Sequence, residues 1–393
     1  MSDRGRLVQR SATARLKLLL YAHSFAPNVG GAETLVMMLA NGLSGRATIT
    51  VATRTATGAQ DDRRFPFTVV RRPSALALWK LVWAADVVHV AGPALLPMLM
   101  AHLLGKPLVV EHHGYQAICP NGLLWLQPAG AVCPSHYAAG RYSRCVACQK
   151  SAMGLLGALR SILLTWPRRA LARHAWANVA VSAHVAARLD LPRTIVIRHG
   201  VPRPRSAGSV REVDVPTFGY VGRLVREKGL PVLLDAAAKL ARESRRFNLL
   251  MVGDGPERGA LARRAAELGL EAEFTGALEG DSLEAAARRI DVAVMPSVWE
   301  ETAGLAAMEA MRRGTPLLAS AIGGLAETVG RGGGVLVEPG SVEALAGAMR
   351  DLLEDPERRA ALGEQARRRA DTAFTLERMI EEHAHLWARA AAR

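Results

Sequence analysis

The sequence has few aromatic residues, since Phe, Trp and Tyr together make up only 5% of its 393 residues. Binding of single-stranded nucleic acid relies on aromatic stacking, and no nucleic-acid-binding motif is recognisable. We therefore expect no nucleic-acid partner. The N-terminus, MSDRGRLVQRSATAR, is basic and polar and lacks the apolar segment of a signal peptide.

Long apolar runs are also scarce. Residues 87–105 carry no formal charge, but two prolines and two histidines divide this stretch into a strand, a turn and a helix. It is therefore not interpreted as a membrane span. With neither a span nor a signal peptide, the default expectation is a cytoplasmic protein.

Acidic residues are depleted in one half of the chain. Residues 1–200 contain 23 Lys and Arg but only 7 Asp and Glu, a net charge of +16, whereas the remaining 193 residues have a net charge of −2. An arginine-rich bias of composition would affect both halves, so the asymmetry favours a polyanionic partner. The candidates are nucleic acid, which the few aromatic residues and the lack of a motif count against, an anionic membrane surface and a phosphorylated acceptor.

The length and the pattern of hydrophobicity indicate two α/β domains. A chain of 393 residues exceeds the size at which a single core stops growing, and half of the residues are apolar. Strand and helix patterns alternate from Leu16 onwards, which predicts parallel sheets covered on both faces. The predicted strands of the first half lie at 16–22, 47–52, 68–71, 87–90, 107–111, 179–181 and 194–197. One predicted helix ends at 43, and two more lie at 75–83 and 95–104. A Pro, Gly and Ser-rich linker at 201–216 precedes a second alternating segment that begins with a strand at 218–221.

Small and charged residues follow several of these predicted strands. Gly30 and Gly31 precede a helix that Glu33 opens, and His112 and His113 come directly after the strand at 107–111. In parallel sheets ligands bind beyond the carboxyl ends of the strands, so these positions are candidate site residues. A tight turn and a structural histidine pair are the alternatives.

Two glutamates, Glu301 and Glu309, flank a predicted helix start in the segment PSVWEETAGLAAMEAMRRGTP. A strand at 291–295 precedes them, and the helix ends at Gly314. Thr302 is the predicted N-cap, and the free N–H groups of the first helical turn form a site for an anion such as a diphosphate. Glu309 lies about two turns into the helix and must reach a different part of the ligand. Two solvated surface carboxylates are the alternative.

Two cations, Arg223 and Lys228, follow the strand at 218–221. Fixed positive charges beside a helix start would stabilise the negative charge that develops on a departing diphosphate. Further strand ends carry the glycine turn at 253–257 and the residues Phe274 and Thr275.

All four cysteines, Cys119, Cys133, Cys145 and Cys148, lie in a predicted loop at 114–150. A loop of this length is unusual unless it is functional. Disulfides are not expected in a cytosolic protein, and four thiolates within 30 residues can hold one tetrahedral zinc that orders a loop lacking its own core. Because only one close Cys-x-x-Cys is present, an iron–sulfur cluster, a redox pair and free thiols remain open.

Residues 151–175 have the pattern of an amphipathic helix, bent at Pro167, that bears Trp166 and four arginines at 160, 168, 169 and 173. Such a helix can lie on a membrane interface. The commoner arrangement is a core-facing apolar side with a solvated polar side.

The segment that contains Glu301 and Glu309 resembles the Glu-(seven residues)-Glu signature of the retaining glycosyltransferases of family 4. The similarity includes the Glu-Ala-Met that begins at Glu309, the Gly-x-Pro at 314–316 and the Gly-Gly-Ala-Glu at 30–33. Ala303 departs from the family, which usually has an aromatic residue before the glycine. Some members carry a similar Cys-rich insertion.

The resemblance implies a GT-B fold, with two Rossmann-like domains facing a cleft. It implies an N-terminal acceptor domain at 16–202 with the insertion at 114–150, a nucleotide-sugar domain at 208–370, and a last helix at about 374–393 that packs back on the first domain. The activity implied is retaining transfer from a UDP- or GDP-sugar, without a catalytic metal. A non-catalytic membrane- or polyanion-binding protein on the same scaffold is the alternative.

The resemblance also assigns roles to residues. His113 and Glu301 would contact the donor sugar, Arg223 and Lys228 the diphosphate, and Glu309 the ribose. The donor-binding set that it implies is Gly30, Gly31, Gly222, Gly253, Gly255, Phe274, Thr275, Thr302, Ala303, Gly304, Leu305 and Glu309. Since the positive charge lies in the acceptor half, we expect an anionic or lipid-linked acceptor, and a protein peripheral to the inner face of the plasma membrane.

Overall fold

The computed structural model describes residues 15–27, 30–56, 62–204 and 215–392. Most of the basic N-terminal segment and residues 205–214 of the predicted linker lie outside the described residues. The strands are β1 (Leu16–Ala22), β2 (Ala47–Thr53), β3 (Thr68–Arg71), β4 (Val87–Ala91), β5 (Leu108–His112), β6 (Trp125–Leu126), β7 (Ala131–Val132), β8 (Ala177–Ala180), β9 (Thr194–Val196), β10 (Thr217–Val221), β11 (Asn248–Val252), β12 (Ala272–Gly276), β13 (Val292–Met295), β14 (Leu317–Ser320) and β15 (Gly334–Val337).

The helices alternate with these strands through most of the chain. They are α1 (Gly31–Leu43), α2 (Ala75–Ala84), α3 (Leu95–Leu103), α4 (Tyr142–His174), α5 (Ala183–Leu189), α6 (Leu230–Arg242), α7 (Arg258–Glu267), α8 (Gly280–Ala287), α9 (Leu305–Arg313), α10 (Gly323–Val329), α11 (Val342–Glu354), α12 (Pro356–Ala373) and α13 (Leu376–Ala391). As far as β5, the predicted strands and helices agree with these bounds to within one residue.

Two large sheets carry the fold. The seven-stranded sheet has the order β3-β2-β1-β4-β5-β8-β9, and the six-stranded sheet has the order β12-β11-β10-β13-β14-β15. Neighbouring strands from β3 to β5 of the first sheet and throughout the second sheet pair in parallel. The strands β6 and β7 form a separate antiparallel pair. The prediction of parallel α/β sheets is therefore confirmed.

The described residues fall into two compact units. The first comprises the described residues up to Glu111, together with Ala170–Asn178 and the C-terminal segment from Ile380. The second comprises His112–Arg169 and the described part of Val179–Met379.

Within the first unit, a buried polar chain ties the last helix to the sheet. Trp387 of α13 donates its indole N–H to His89 Nδ1 at 3.2 Å, and His89 Nε2 lies 3.0 Å from Glu111 Oε2. All three residues are at most 1% exposed. Such buried polar groups require satisfied hydrogen bonds, so this series of hydrogen bonds fixes where α13 packs on β4 and β5.

The cysteine-containing segment differs from the loop that the sequence predicts. It contains the β6–β7 pair, and Cys145 and Cys148 lie on α4. Tyr115, Leu124 and Trp125 are at most 2% exposed, so the segment has an apolar core of its own. The prediction of a loop without a core is wrong, because its scattered apolar residues show no periodicity in sequence and come together only in three dimensions.

Helix α4 also differs from its prediction. Its backbone leaves the helical conformation at Gly154, with φ of 72° and ψ of 173°, while Pro167 lies inside the helix. Glycine adopts a positive φ without steric cost, so the break falls there. The core-facing interpretation is wrong for Leu156, Leu163 and Trp166, which are 82%, 73% and 69% exposed.

Among the helices of the described residues, none combines the length and the apolar character needed to cross a membrane.

Candidate active site

The candidate site lies at the carboxyl ends of β10 and β13, neighbouring strands at the centre of the six-stranded sheet. The strand order reverses here, because β10 continues to β11 and β12 on one side while β13 continues to β14 and β15 on the other. In open parallel sheets, such a topological switch point opens the crevice that binds ligands. Arg223 and Lys228 follow β10, and Glu301 follows β13.

The two residues predicted to act on the donor form an ion pair. Lys228 Nζ lies 2.8 Å from Glu301 Oε1, and Glu301 is only 6% exposed. The Ser297 hydroxyl donates to the same carboxylate oxygen. Lys228 Nζ also lies 5.8 Å from the centre of the Trp299 ring, a cation–π distance. The structure thus holds a buried carboxylate and a cation together at the mouth of the switch point.

The start of α9 is built on a glycine rather than on the predicted threonine cap. Gly304 occupies the N-cap position with φ of +89°, and no side chain caps the helix. The prediction of Thr302 as N-cap is wrong, because a left-handed residue is needed two positions later to turn the chain into the helix. The first N–H groups of α9 consequently remain available to an anion. Ala303 is 2% exposed, and its carbonyl oxygen accepts from Thr328.

Contacts from distant parts of the same unit anchor the loop at 300–302. The Tyr115 hydroxyl donates to the Glu300 carbonyl at 3.0 Å, and the Ser182 hydroxyl donates to the Thr302 carbonyl at 2.6 Å. Arg188 Nε donates to Glu300 Oε2 at 2.8 Å. These three anchors could not be predicted from the sequence, because they lie more than 110 residues away from the loop and carry no local motif.

The glutamate before Glu301 is held ionised. Burial raises the pKa of Glu300, but hydrogen bonding to His184 and the charge of Arg188 more than offset it, so its pKa lies below the ordinary 4.5. The loop backbone is fixed as well, because Gly324 N donates to the Glu301 carbonyl at 2.6 Å. A Cβ on Gly324 would lie 2.1 Å from the Thr302 carbonyl oxygen, so only glycine permits this close approach.

Arg223, two residues after the end of β10, is exposed. Its carbonyl accepts from the Tyr220 hydroxyl at 2.9 Å. Burial, followed by the negative charge of Glu301, raises the pKa of Tyr220 above its ordinary 10.0, so this hydroxyl stays protonated and keeps donating. This hydrogen bond fixes the backbone position from which the exposed Arg223 side chain extends.

The predicted glycines of this half pack strand-end loops against one another. A Cβ on Gly253 would lie 1.9 Å from the Gly222 carbonyl oxygen, and one on Gly255 would lie 2.3 Å from the Leu224 carbonyl oxygen. Each glycine thus lets two loops meet backbone to backbone. Phe274 and Thr275 belong to the end of β12 rather than following it as predicted.

Glu309 lies within α9, separate from the ion pair. Burial and the nearby carboxylate of Glu284 raise its pKa above 4.5, against the lowering effect of Arg313. A carboxylate in this environment gains from a hydrogen-bond donor, such as a sugar hydroxyl, that restores its lost solvation. Leu305 is the first residue of the same helix.

The two histidines at the end of β5 differ in exposure. His112 is the last residue of the strand and is 0% exposed, whereas His113 is partly exposed. The His113 ring centre lies 5.5 Å from that of His199, a second histidine that the sequence analysis did not single out. Gly30 and Gly31 lie in the other unit, as the N-cap and first residue of α1, with Glu33 in its first turn.

The four cysteines are buried and form no disulfide. Each is 6–7% exposed, and Asn121 bridges two of them, accepting from Cys119 Sγ at 2.9 Å and donating to Cys148 Sγ at 3.6 Å. Burial, followed by the charges of the other three cysteines, raises the pKa of Cys145 to about 12. Within the described residues, no three of these sulfurs lie within 4.8 Å of one another.

Two family models together match most of the chain. The model of Glycosyltransferase Family 4 matches residues 29–205, and that of Glycosyl transferases group 1 matches residues 205–369.

Curated relatives match over part of their length. The chain is 44% identical over 144 residues to the 2-deoxystreptamine glucosyltransferase of Streptomyces kanamyceticus, an alignment that covers 36% of this chain and 37% of the relative. It is 38% identical over 177 residues to the 2-deoxystreptamine N-acetyl-D-glucosaminyltransferase of Streptomyces fradiae, covering 43% and 42%. The chain thus spans less than half the length of these relatives.

Solved structures match along nearly the whole chain. Sucrose-phosphate synthase from Thermosynechococcus elongatus superposes with a TM-score of 0.72 at 23% identity, covering 96% of this chain and 100% of that one. HepE of Anabaena, solved with UDP and glucose, gives a TM-score of 0.71 at 21% identity, covering 95% and 100%.

The protein has a GT-B fold of the glycosyltransferase class. Its two parallel sheets, the site at the switch point of the second sheet and these structural neighbours support this. With both halves matched by glycosyltransferase models, the chain belongs to the family 4 glycosyltransferases.

Proposed function

We propose that this protein is a retaining hexosyltransferase that moves a sugar from a nucleotide-diphosphate sugar to an acceptor. One observation carries the proposal: the buried Glu301 carboxylate pairs with Lys228 at 2.8 Å, next to a helix start whose N–H groups have no side-chain cap. A cation and free N–H groups suit a diphosphate, and a carboxylate suits the hydroxyls of a sugar.

In the mechanism that we infer, the bond between the sugar and the diphosphate breaks first. Negative charge then develops on the diphosphate, where Arg223, Lys228 and the start of α9 stabilise it. Lys228 has three N–H donors, so it can hold Glu301 and a diphosphate oxygen together. Glu301 and His113 position the sugar, and Glu309 binds the ribose. The acceptor hydroxyl attacks the sugar from the face that the diphosphate leaves, and its proton passes to the departing diphosphate.

The stereochemistry is testable by NMR of the product formed at an early time. Retention predicts that the new glycosidic bond has the same anomeric configuration as the donor. An inverted product would contradict the retaining mechanism while leaving sugar transfer intact.

For the donor, we propose a UDP-sugar, with a GDP-sugar as the alternative. A structural neighbour, HepE of Anabaena, has been solved with UDP-glucose, which supports uridine. The donor set is that predicted from the sequence, from Gly222 to Glu309 in the second half, with Gly30 and Gly31 in the first. Thermal-shift measurements with UDP- and GDP-sugars decide between the bases, and stabilisation by neither would contradict the assignment.

We propose that the two domains bind different substrates. Residues 16–202 and the helix at about 374–393 form the acceptor domain, and residues 208–370 form the nucleotide-sugar domain. The +16 charge of the first 200 residues supports an anionic or lipid-linked acceptor for a cytoplasmic protein peripheral to the plasma membrane. Transfer to a lipid-linked diphosphate sugar should exceed transfer to 2-deoxystreptamine, the compound named in two relatives. The reverse preference would contradict this acceptor class.

We also propose one structural zinc, held by Cys119, Cys133, Cys145 and Cys148. The residues fit the metal in kind, because the four thiols are buried and close enough to raise the pKa of Cys145, and a dication reverses that repulsion. Binding would draw the sulfurs together. Metal analysis after expression with zinc should give one equivalent, and less than about half an equivalent, or an iron–sulfur absorbance band, would contradict it.

A further inference from the structure

Helix α4 exposes a continuous row of large apolar side chains. We define the α4 apolar face as Leu155, Leu156, Leu159, Leu163 and Trp166, which are 51%, 82%, 47%, 73% and 69% exposed. At 100° per residue these positions fall within an arc of about 100°, the width of a helix stripe that normally covers a core. Within the described residues no element buries this stripe, since each of its members stays about half exposed or more.

The opposite side of the helix already makes the packing contacts. Ala158, Thr165 and Ala172 recur every seven residues and are all 0% exposed. The α4 apolar face is therefore not needed to hold the helix on the protein. Contiguous exposed apolar surface of this kind marks an interaction site.

The surroundings of this face carry charge of one sign. From His112 to Leu189 the sequence contains eight Lys and Arg residues and neither Asp nor Glu. Of these, four are exposed on α4 itself, namely Arg144, Lys150, Arg160 and Arg173. An apolar stripe with Leu and Trp, flanked by cations, is the composition of helices that lie in the interface of anionic bilayers.

We propose that the α4 apolar face lies on a bilayer that contains anionic lipids, with Lys150 and Arg160 contacting the lipid phosphates. This inference deepens the proposed function, on which it rests for its purpose of bringing the site to a membrane-bound acceptor; the binding itself needs no catalysis. A second copy of the chain suits the face less well. A two-fold interface would bring the same cations of both copies together, with no acidic residue in this region to pair with them.

The experiment is vesicle sedimentation of the whole protein at about 0.05 M salt. Vesicles of phosphatidylglycerol and phosphatidylcholine should bind it, and vesicles of phosphatidylcholine alone should bind it much less. The double variant Leu156→Ser, Leu163→Ser should lower the partition coefficient on the order of tenfold or more, because each substitution removes apolar side-chain surface that would insert into the bilayer. Trp83→Ser is the matched control, since Trp83 is 66% exposed but lies on α2.

A second variant pair tests the charge. Lys150→Glu, Arg160→Glu should weaken binding to anionic vesicles, as should raising the salt to about 0.5 M, where the Debye length falls well below 10 Å. Stabilisation by donor, measured in the same variants without lipid, reports folding and the sugar-transfer site separately. The proposal is overturned if the wild type ignores anionic vesicles, if Trp83→Ser is as harmful as the α4 double variant, or if the double variant abolishes a dimer and leaves vesicle binding unchanged.

Discussion

Replacing Lys228 by methionine separates its structural role from its chemical role. The side chains of Lys228 and Glu301 are 18% and 8% exposed, so the substitution leaves a buried carboxylate with Ser297 as its remaining partner. Breaking a buried ion pair costs about 3–5 kcal/mol. Because Lys228 is partly exposed, the expected loss in the free energy of unfolding is smaller, about 2–3 kcal/mol.

Removal of the same cation should also slow the reaction. The loss of one preorganised group that stabilises a developing negative charge lowers kcat by about 10²–10³. If the account is right, the double variant Lys228→Met, Glu301→Gln recovers much of the stability, because no unpaired buried charge remains, but it recovers no activity.

Urea denaturation and the rate of nucleoside diphosphate release measure the two effects. Lys239→Met is the control, since Lys239 pairs with Glu343, which is 74% exposed, and should lose less than about 1 kcal/mol. A Lys228→Met variant that is no less stable than Lys239→Met, or one with an unchanged kcat, would contradict these two roles of Lys228.

Three further predictions concern the surroundings of the pair. Burial raises the pKa of Glu309 above 4.5, so ionisation of this carboxyl lowers the stability of the fold as the pH rises above 4.5. Glu309→Gln should therefore unfold at a higher urea concentration than the wild type at pH 7. The same variant should bind the donor on the order of tenfold more weakly, as measured by calorimetry. Gly324→Ala places a Cβ 2.1 Å from the Thr302 carbonyl oxygen and should lose about 1–3 kcal/mol in urea denaturation, whereas Gly347→Ala, with nothing within 4 Å, should gain about 0.5–1 kcal/mol. The pKa of Glu300 lies below 4.5, so its ion pair stabilises the fold above pH 4.5 and is lost as the pH falls through the folded-state pKa; Glu300→Gln should flatten the acid limb of the stability profile, and an unchanged limb would contradict this.

Local patterns in the sequence predicted the sheets and most of the residues at the strand ends. Runs such as Val292–Met295 are short, apolar and β-branched, and the site follows them because parallel strands end at one edge. Lys228 and Glu301 could each be predicted, but their 2.8 Å pairing could not, since 73 residues separate them and only the neighbouring positions of β10 and β13 bring them together.

Features that depend on tertiary context could not be predicted. Thr302 has the chemistry of an N-cap, but the backbone turns at Gly304 instead. Tyr115 carries no motif, and its role exists only where its hydroxyl reaches the loop beside Glu301. Periodicity likewise showed that α4 has an apolar side, but it could not show that this side is left uncovered.

The release of nucleoside diphosphate from a panel of UDP- and GDP-sugars, measured for the wild type and for Glu301→Gln, shows whether the Lys228–Glu301 pair serves a sugar donor. The wild type should release nucleoside diphosphate from at least one donor. Glu301→Gln should still be stabilised by that donor but release diphosphate on the order of 10² times more slowly. A wild type that releases none from any donor, or a Glu301→Gln variant as fast as the wild type, would contradict this role of the pair.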